Sequence, residues 1–311
     1  MRENNRHHRS RAGATAGMGV LLALSLAATT FGATYGPWGT PAKIDTINGN
    51  HADLNTTSVD GCPIQSPDGL SLYMASTRPR FAGDTRTDLD IWVAHRASPD
   101  APYGAPVNLA DINTTADDFC PTPVQGKGLF FVSSRAGGCG VHPTGDIYLT
   151  RLNPSHGWSA PANLGCQANG GPNTAAGEAG PSYFDSGGQA YLYFSSGPDI
   201  VVSTRQPNGS FGPGVAVASL NSPSNDLRPN VRKDGLEIVF DSDRAGGAGG
   251  FDIYTATRAS VTDPWSGVTN VAAINTGASE TRASFSWDAL TLVFGRNPGG
   301  EGATDIFVTT R

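Results

Sequence analysis

The sequence predicts an all-β fold, a five-bladed β-propeller of four-stranded blades with the ring closed by the N-terminal strand. Three observations predict it. A nine-residue stretch recurs five times along the chain. Each recurrence is followed by segments that read as short strands joined by turns. The last repeat stops one strand short, and the missing piece stands near the N-terminus. A repeat of this period marks an array of supersecondary units, and closure of such an array into a ring makes one domain.

The repeated stretch is Asn55-Thr-Thr-Ser-Val-Asp60-Gly-Cys-Pro63, Asn113-Thr-Thr-Ala-Asp-Asp118-Phe-Cys-Pro121, Asn173-Thr-Ala-Ala-Gly-Glu178-Ala-Gly-Pro181, Asn221-Ser-Pro-Ser-Asn-Asp226-Leu-Arg-Pro229 and Asn275-Thr-Gly-Ala-Ser-Glu280-Thr-Arg-Ala283. An acid always stands five residues after the Asn. Successive acids are 58, 60, 48 and 54 residues apart.

The fourth repeat shows the blade most clearly. Pro229-Asn-Val-Arg232 leads to Lys233-Asp-Gly235, a hairpin signal between apolar runs. Leu236-Glu-Ile-Val-Phe240 alternates as a half-buried strand does. A glycine-rich loop, Ala245–Gly250, leads to a third strand, Phe251–Arg258, and a fourth follows Trp265. In all five repeats the third strand opens with Asp-Ile, at Asp90, Asp146, Asp199, Asp252 and Asp305, and ends in Arg. The fifth repeat ends at Arg311 with no fourth strand. Trp38-Gly-Thr-Pro-Ala-Lys-Ile44 resembles the fourth-strand segment Trp158-Ser-Ala-Pro-Ala-Asn-Leu164, so the N-terminal strand completes the last blade and removes an open sheet edge.

Residues 1–33 read as a signal peptide. Arg2, Arg6, Arg9 and Arg11 precede the apolar run Gly19–Ala28, which is too short to span a bilayer stably, and small residues follow. The expected domain is then 34–311, secreted or periplasmic, monomeric and without a membrane span. The chain carries a net charge of −6, and losing those four arginines makes it more acidic. Nucleic acid is therefore not an expected partner, because phosphate binding needs a basic stripe. In an exported chain the four cysteines suggest two disulfides, with three pairings open. Equivalent positions favour Cys62 with Cys120, and a shared loop side favours Cys139 with Cys166. A zinc site near His142 is the alternative, although no C-x-x-C pair supports it.

Ser-x-Asp-Gly, an apolar strand, Ser-Arg-x-Gly-Gly and then Asp-Ile-Tyr resemble the repeat of TolB-type, WD-like β-propellers. Ser134-Arg135-Ala-Gly-Gly138 with Asp146-Ile-Tyr148 carries the pattern, as does Asp241-Ser-Asp-Arg244-Ala-Gly-Gly247 with Asp252-Ile-Tyr254. The resemblance covers about 34–311 and implies an exported binding scaffold, here with five blades where TolB has six.

Asp60, Asp118, Glu178, Asp226 and Glu280 fall on one face, around the central channel. Arg78, Arg135, Arg244 and Arg296 are expected nearby. These arginines and the five Asp-Ile aspartates read as residues that hold the blades, and the acids as candidate ligand groups for a cation or polyhydroxylated molecule. Like carboxylates raise one another's pKa, so pairing with arginine is expected. The third blade departs from the pattern: Ser195-Ser-Gly-Pro-Asp199 has no Arg and almost no loop. A notch in the rim follows, with Glu178, Ser195 and Ser196 around it. His142 and His51 are further candidates on this face. No cofactor is called for, although Asp84, Asp88 and Asp90 could coordinate calcium.

The expectation from these readings is an exported, non-catalytic propeller that binds a carbohydrate or protein partner through its loop face. The alternative is a glycosidase. Five-bladed arabinanase-like glycosidases place two aspartates and a glutamate on successive inner strands, which Asp60, Asp118 and Glu178 resemble, and glycoside hydrolysis needs such an acid and base pair.

Overall fold

The computed structural model describes residues 35–47, 49–126, 128–140 and 145–311. The expected signal peptide and His142 lie outside them. Tyr35–Arg311 form one compact unit, a five-bladed β-propeller. The innermost strands of the blades are Asp60–Gln65, Asp118–Val124, Glu178–Ser186, Asp226–Val231 and Ser279–Phe285. Each pairs antiparallel with a second strand, and that strand with a third, which opens at its Asp-Ile. Short fourth strands complete the first four blades at Val107–Asn108, Ala162–Asn163, Val215–Ala216 and Ser266–Asn270.

Ala42–Lys43 is the fourth strand of the fifth blade, with Ala42 opposite Val308 and Lys43 opposite Phe307. Stacking repeats the same solution. Arg258 lies 4.2 Å over the ring of Trp265 in the fourth blade, and Arg311 lies 4.3 Å over Trp38 in the fifth. The N-terminal segment thus supplies both the strand and the aromatic that the C-terminal end lacks.

The Asn that opens every repeat clips neighbouring blades together. Asn113 accepts from the Ile91 amide at 2.9 Å and donates to the Ile91 carbonyl at 2.9 Å. Asn173, Asn221 and Asn275 do the same to Ile147, Ile200 and Ile253. Asn55 makes the corresponding bonds to Ile306 across 251 residues of sequence, closing the ring. The Asn side chain partners the Ile amide and adds a second donor to a carbonyl that, in the first four blades, also accepts from the amide of Leu109, Leu164, Val217 or Val271, which accounts for an Asn at this position. Apolar side chains fill the space between blades. Phe240, Ile238 and Trp265 of the fourth pack with Phe184 and Tyr193 of the third, and Leu72, Met74 and Trp92 of the first pack with Val293 and Ile306 of the fifth.

Each innermost strand carries a bulge two residues after its acid. Cys62, Cys120, Arg228 and Arg282 have φ of 48°, 47°, 48° and 51°, and Gly180 has 57°. The pairing register shifts there in every blade. A left-handed residue of this kind adds a bend and re-aims a side chain. Two of the re-aimed side chains meet: Cys62 is joined to Cys120, tying the first two blades. Cys139 is joined to Cys166, tying the glycine-rich loop of the second blade to the segment leading into the third.

Candidate active site

The five repeated acids begin the innermost strands on one face, and four of them are held alike. Asp60 accepts from the Thr56 amide and hydroxyl at 2.6 and 2.7 Å through one oxygen, and from Ser76 and Arg78 through the other, at 2.6 and 2.5 Å. Asp118 meets Thr114 and Arg135, with the guanidinium at 2.6 Å. Asp226 meets Ser222 and Arg244, and Glu280 meets Thr276 and Arg296, the latter at 2.7 Å. None of the four acids is exposed to solvent. The same arginines reach the carbonyls of Leu54, Ile112, Leu220 and Ile274, and three of those bonds are 2.7 to 2.9 Å. Each pair therefore links its own blade to the connection entering it.

Glu178 differs. It also accepts from the Thr174 amide and hydroxyl, at 2.9 and 2.7 Å, and from Ser196 at 3.1 Å, all through one oxygen. Pro198 stands where the other blades approach with arginine, and the strands Gln189–Ser196 and Asp199–Thr204 are joined by Gly197-Pro198 alone. The second carboxylate oxygen is buried with no hydrogen-bond partner among the described residues. Burial pushes the Glu178 pKa up to about 7, hydrogen bonds from Thr174 and Ser196 oppose the rise, and the charge of Asp146 adds to it. This acid carries a proton at mildly acidic pH, as a proton donor must.

Beside it, between the second and third blades, is a cleft of about 330 Å³ lined by Arg135, Gly138, Cys139, Asp146, Thr174 and Gly177, among others. The Glu178 amide donates to the Gly145 carbonyl at 2.8 Å, which brings the starts of the two strands side by side. Asp146 accepts from the Cys139 amide and from Asn163, both at 2.7 Å, through one oxygen. Sequence reading assigned Asp146 only a blade-holding role, because an Asp occurs there in every repeat. Its neighbourhood to an unpaired Glu is a property of the third blade's missing arginine.

The other Asp-Ile aspartates mostly bind their fourth strand. Asp90 accepts from Asn108 at 2.7 Å, Asp252 from Asn270 at 3.1 Å, and Asp305 pairs with Lys43 at 2.8 Å. Asp199 is half-buried and faces a fourth strand that has Ala216 in place of that Asn. Asp84, Asp88 and Asp90, the calcium candidates, converge on the guanidinium of Arg80, so a cation of the chain's own occupies their midst. Ser195 donates to the Ala179 carbonyl at 3.1 Å and Ser196 turns to Glu178. The His51 ring accepts from the Asp53 amide and caps the turn Ala52–Leu54.

The axis itself holds residues that the sequence reading passed over. Arg282 is fully buried, and Arg228 pairs with Asp241 at 2.5 Å. Their signal was visible: both stand two residues after the acid, where the other repeats have Cys62, Cys120 and Gly180.

No protein-family model and no curated protein sequence matches the chain. Solved structures are similar to it in fold. An endo-arabinanase of glycoside hydrolase family 43 from Bacillus licheniformis superposes with a TM-score of 0.54 at 14% identity, over 82% of this chain and 95% of that one. An α-L-arabinofuranosidase from Lactobacillus brevis gives 0.55 at 11% identity, over 80% and 90%. One from Podospora anserina gives 0.52 at 12% identity, over 89% and 96%. At such identities the likeness is one of fold. It corrects the expectation of a non-catalytic binding propeller of the TolB, WD-like kind, since these similar folds are those of glycosidases.

Proposed function

We propose that the chain is an exported glycoside hydrolase whose proton donor is Glu178. The observation that carries this reading is the one acid of five without an arginine, buried, half unpartnered and protonated up to about pH 7. Hydrolysis of a glycosidic bond needs a carboxylic acid to protonate the leaving oxygen and a second carboxylate to act on the far side of the sugar ring, as base toward water or as nucleophile. We assign the second role to Asp146, which lines the cleft and whose charge acts on Glu178. Asp60 and Asp118 enter as the groups that hold the first two blades, since each is already neutralised by its own arginine. The arabinanase and arabinofuranosidase activities of the similar folds put arabinan and other arabinofuranosides first among substrates. The two disulfides fit an oxidising compartment outside the cytoplasm, and no helix among the described residues is long and apolar enough to cross a membrane.

The test is reducing-sugar release from arabinan, arabinoxylan and xylan by residues 34–311. Glu178→Gln and Asp146→Asn are expected to lower kcat by at least about a hundredfold each, with the fold retained by circular dichroism. Wild-type protein without turnover on any of these polymers, or turnover that survives Glu178→Gln, overturns the reading.

A further inference from the structure

The opposite face of the ring carries a second recess, at the seam where the fifth blade meets the first. It measures about 680 Å³, and Gln65, Asp68, Arg96, Tyr103, Trp287 and Asp288 are among its walls. Two of these walls are the hairpin turns joining first and second strands, Ser66-Pro-Asp68-Gly69 and Ser286-Trp-Asp288-Ala289. In both, the Asp accepts from the Ser hydroxyl, at 2.5 and 2.6 Å, and from an amide two residues on, at 3.0 Å. Those bonds use one carboxylate oxygen of each.

Trp287 is out of keeping with its place. The equivalent turn position holds Pro67 in the first blade and Lys233 in the fourth. Nothing in the fold requires an indole there, and it is 42% exposed. The Lys233 ammonium lies 5.2 Å from its ring centroid. Across the recess, Tyr103 is buried to 4% exposure, and its hydroxyl makes no close hydrogen bond among the described residues, with the Gln65 side chain as a polar neighbour. Burial pushes that phenol up to about 12, so it remains a proton donor throughout the physiological range. The Arg96 guanidinium stacks on the Tyr103 ring at 4.4 Å and uses Nε on the Gly69 carbonyl.

We infer that this seam is a second carbohydrate-binding site, for a neutral oligosaccharide, separate from the Glu178 cleft and independent of hydrolysis. A flat, half-exposed indole offers an apolar platform to the C–H face of a sugar ring. The Tyr103 hydroxyl and the Arg96 fork supply donors, and Asp68, Asp288 and Gln65 supply acceptors. Sugar hydroxyls donate and accept together, which matches such a mixed set. The acids disfavour an anionic chain. A basic peptide would satisfy the carboxylates, but would leave the Tyr103 and Arg96 donors facing cations.

The experiment titrates residues 34–311 carrying Glu178→Gln, so that no probe is consumed, with arabinohexaose, xylohexaose, cellohexaose and, separately, hexalysine. Binding is read by calorimetry and by indole fluorescence. At least one neutral hexaose is expected to bind and to perturb the fluorescence. Trp287→Ala is expected to weaken it by at least about tenfold, and Tyr103→Phe, which keeps the packing, by roughly fivefold. Binding that Trp287→Ala leaves unchanged, no binding of any hexaose, or binding of hexalysine alone overturns the inference. Loss of turnover in the polymer assay leaves this readout untouched, so the two readings fail separately.

Discussion

The guanidinium of Arg282 donates to the hydroxyl of Thr122 at 3.0 Å, joining the fifth blade to the second across the axis of the ring. It also reaches the carbonyls of Pro181, Gly180 and Pro229 at 2.9, 3.0 and 3.1 Å. One side chain thus ties three blades to its own. Burial pushes its pKa down to about 9, while Asp241 opposes that fall, so it stays charged at neutral pH. That side chain is fully buried near the axis, among residues of the second, third and fourth blades. Arg282→Ala removes four hydrogen bonds and leaves their acceptors dry. The expected loss is more than about 3 kcal/mol in urea unfolding, and Arg282→Lys, lacking the planar fork, is expected to recover less than half of it.

The paired acids and Glu178 should separate by stability. Asp118→Asn leaves the Arg135 charge without its carboxylate in a buried setting, at an expected cost of about 3 kcal/mol. Glu178→Gln removes the proton requirement of an acid that has no cation, and is expected to be neutral or stabilising. Melting temperatures of the two variants check this, and equal losses would count against a distinct role for the third blade.

The pH dependence follows from the same group. Between its unfolded value of 4.5 and about 7, the native chain holds a proton on Glu178 that the unfolded chain has released. Native stability therefore falls as pH rises through this window, by on the order of 3 kcal/mol from this group, and levels off above it. Glu178→Gln is expected to flatten that slope. Under the proposed role of Glu178 as proton donor, turnover is expected to decline above about pH 7 with the same midpoint.

The two disulfides differ in what they constrain. Cys62–Cys120 spans 58 residues and Cys139–Cys166 spans 27. Chain-entropy arguments assign them about 4 and about 3.5 kcal/mol. The double replacement Cys62→Ala/Cys120→Ala is expected to lower stability toward urea more than Cys139→Ala/Cys166→Ala. The second pair should act on turnover instead, because the Cys139 amide holds Asp146.

Gly180 marks a steric limit at the axis. A Cβ there would lie 2.5 Å from Arg228 Cα, and the residue has a φ of 57°. Gly180→Ala is expected to cost at least about 2 kcal/mol. Cys120→Ala, at the equivalent bulge, loses the disulfide but meets no such clash, and equal unfolding midpoints under reducing conditions would contradict this account.

Blade number, blade boundaries and ring closure were legible because each is written locally and repeated. The Asn, the acid, the turn and the Asp-Ile strand recur, and a strand missing at one end stands at the other, beside Trp38. The short connection and missing arginine at Ser195-Ser-Gly-Pro-Asp199 were legible as well, as a failure of the repeat. Which acids are neutralised was not, since a carboxylate's state depends on a guanidinium 16 to 18 residues away in sequence and on burial at 0 to 2% exposure. The influence of Asp146 on Glu178 crosses from the second blade to the third, and Trp287 and Tyr103 line one recess from the last blade and the first. By itself the sequence determined the ring, because strand periodicity and turn chemistry act over a few residues. The tertiary structure alone decided which charges remain unpaired and which surfaces face each other, because desolvation and Coulomb interaction depend on distance through space.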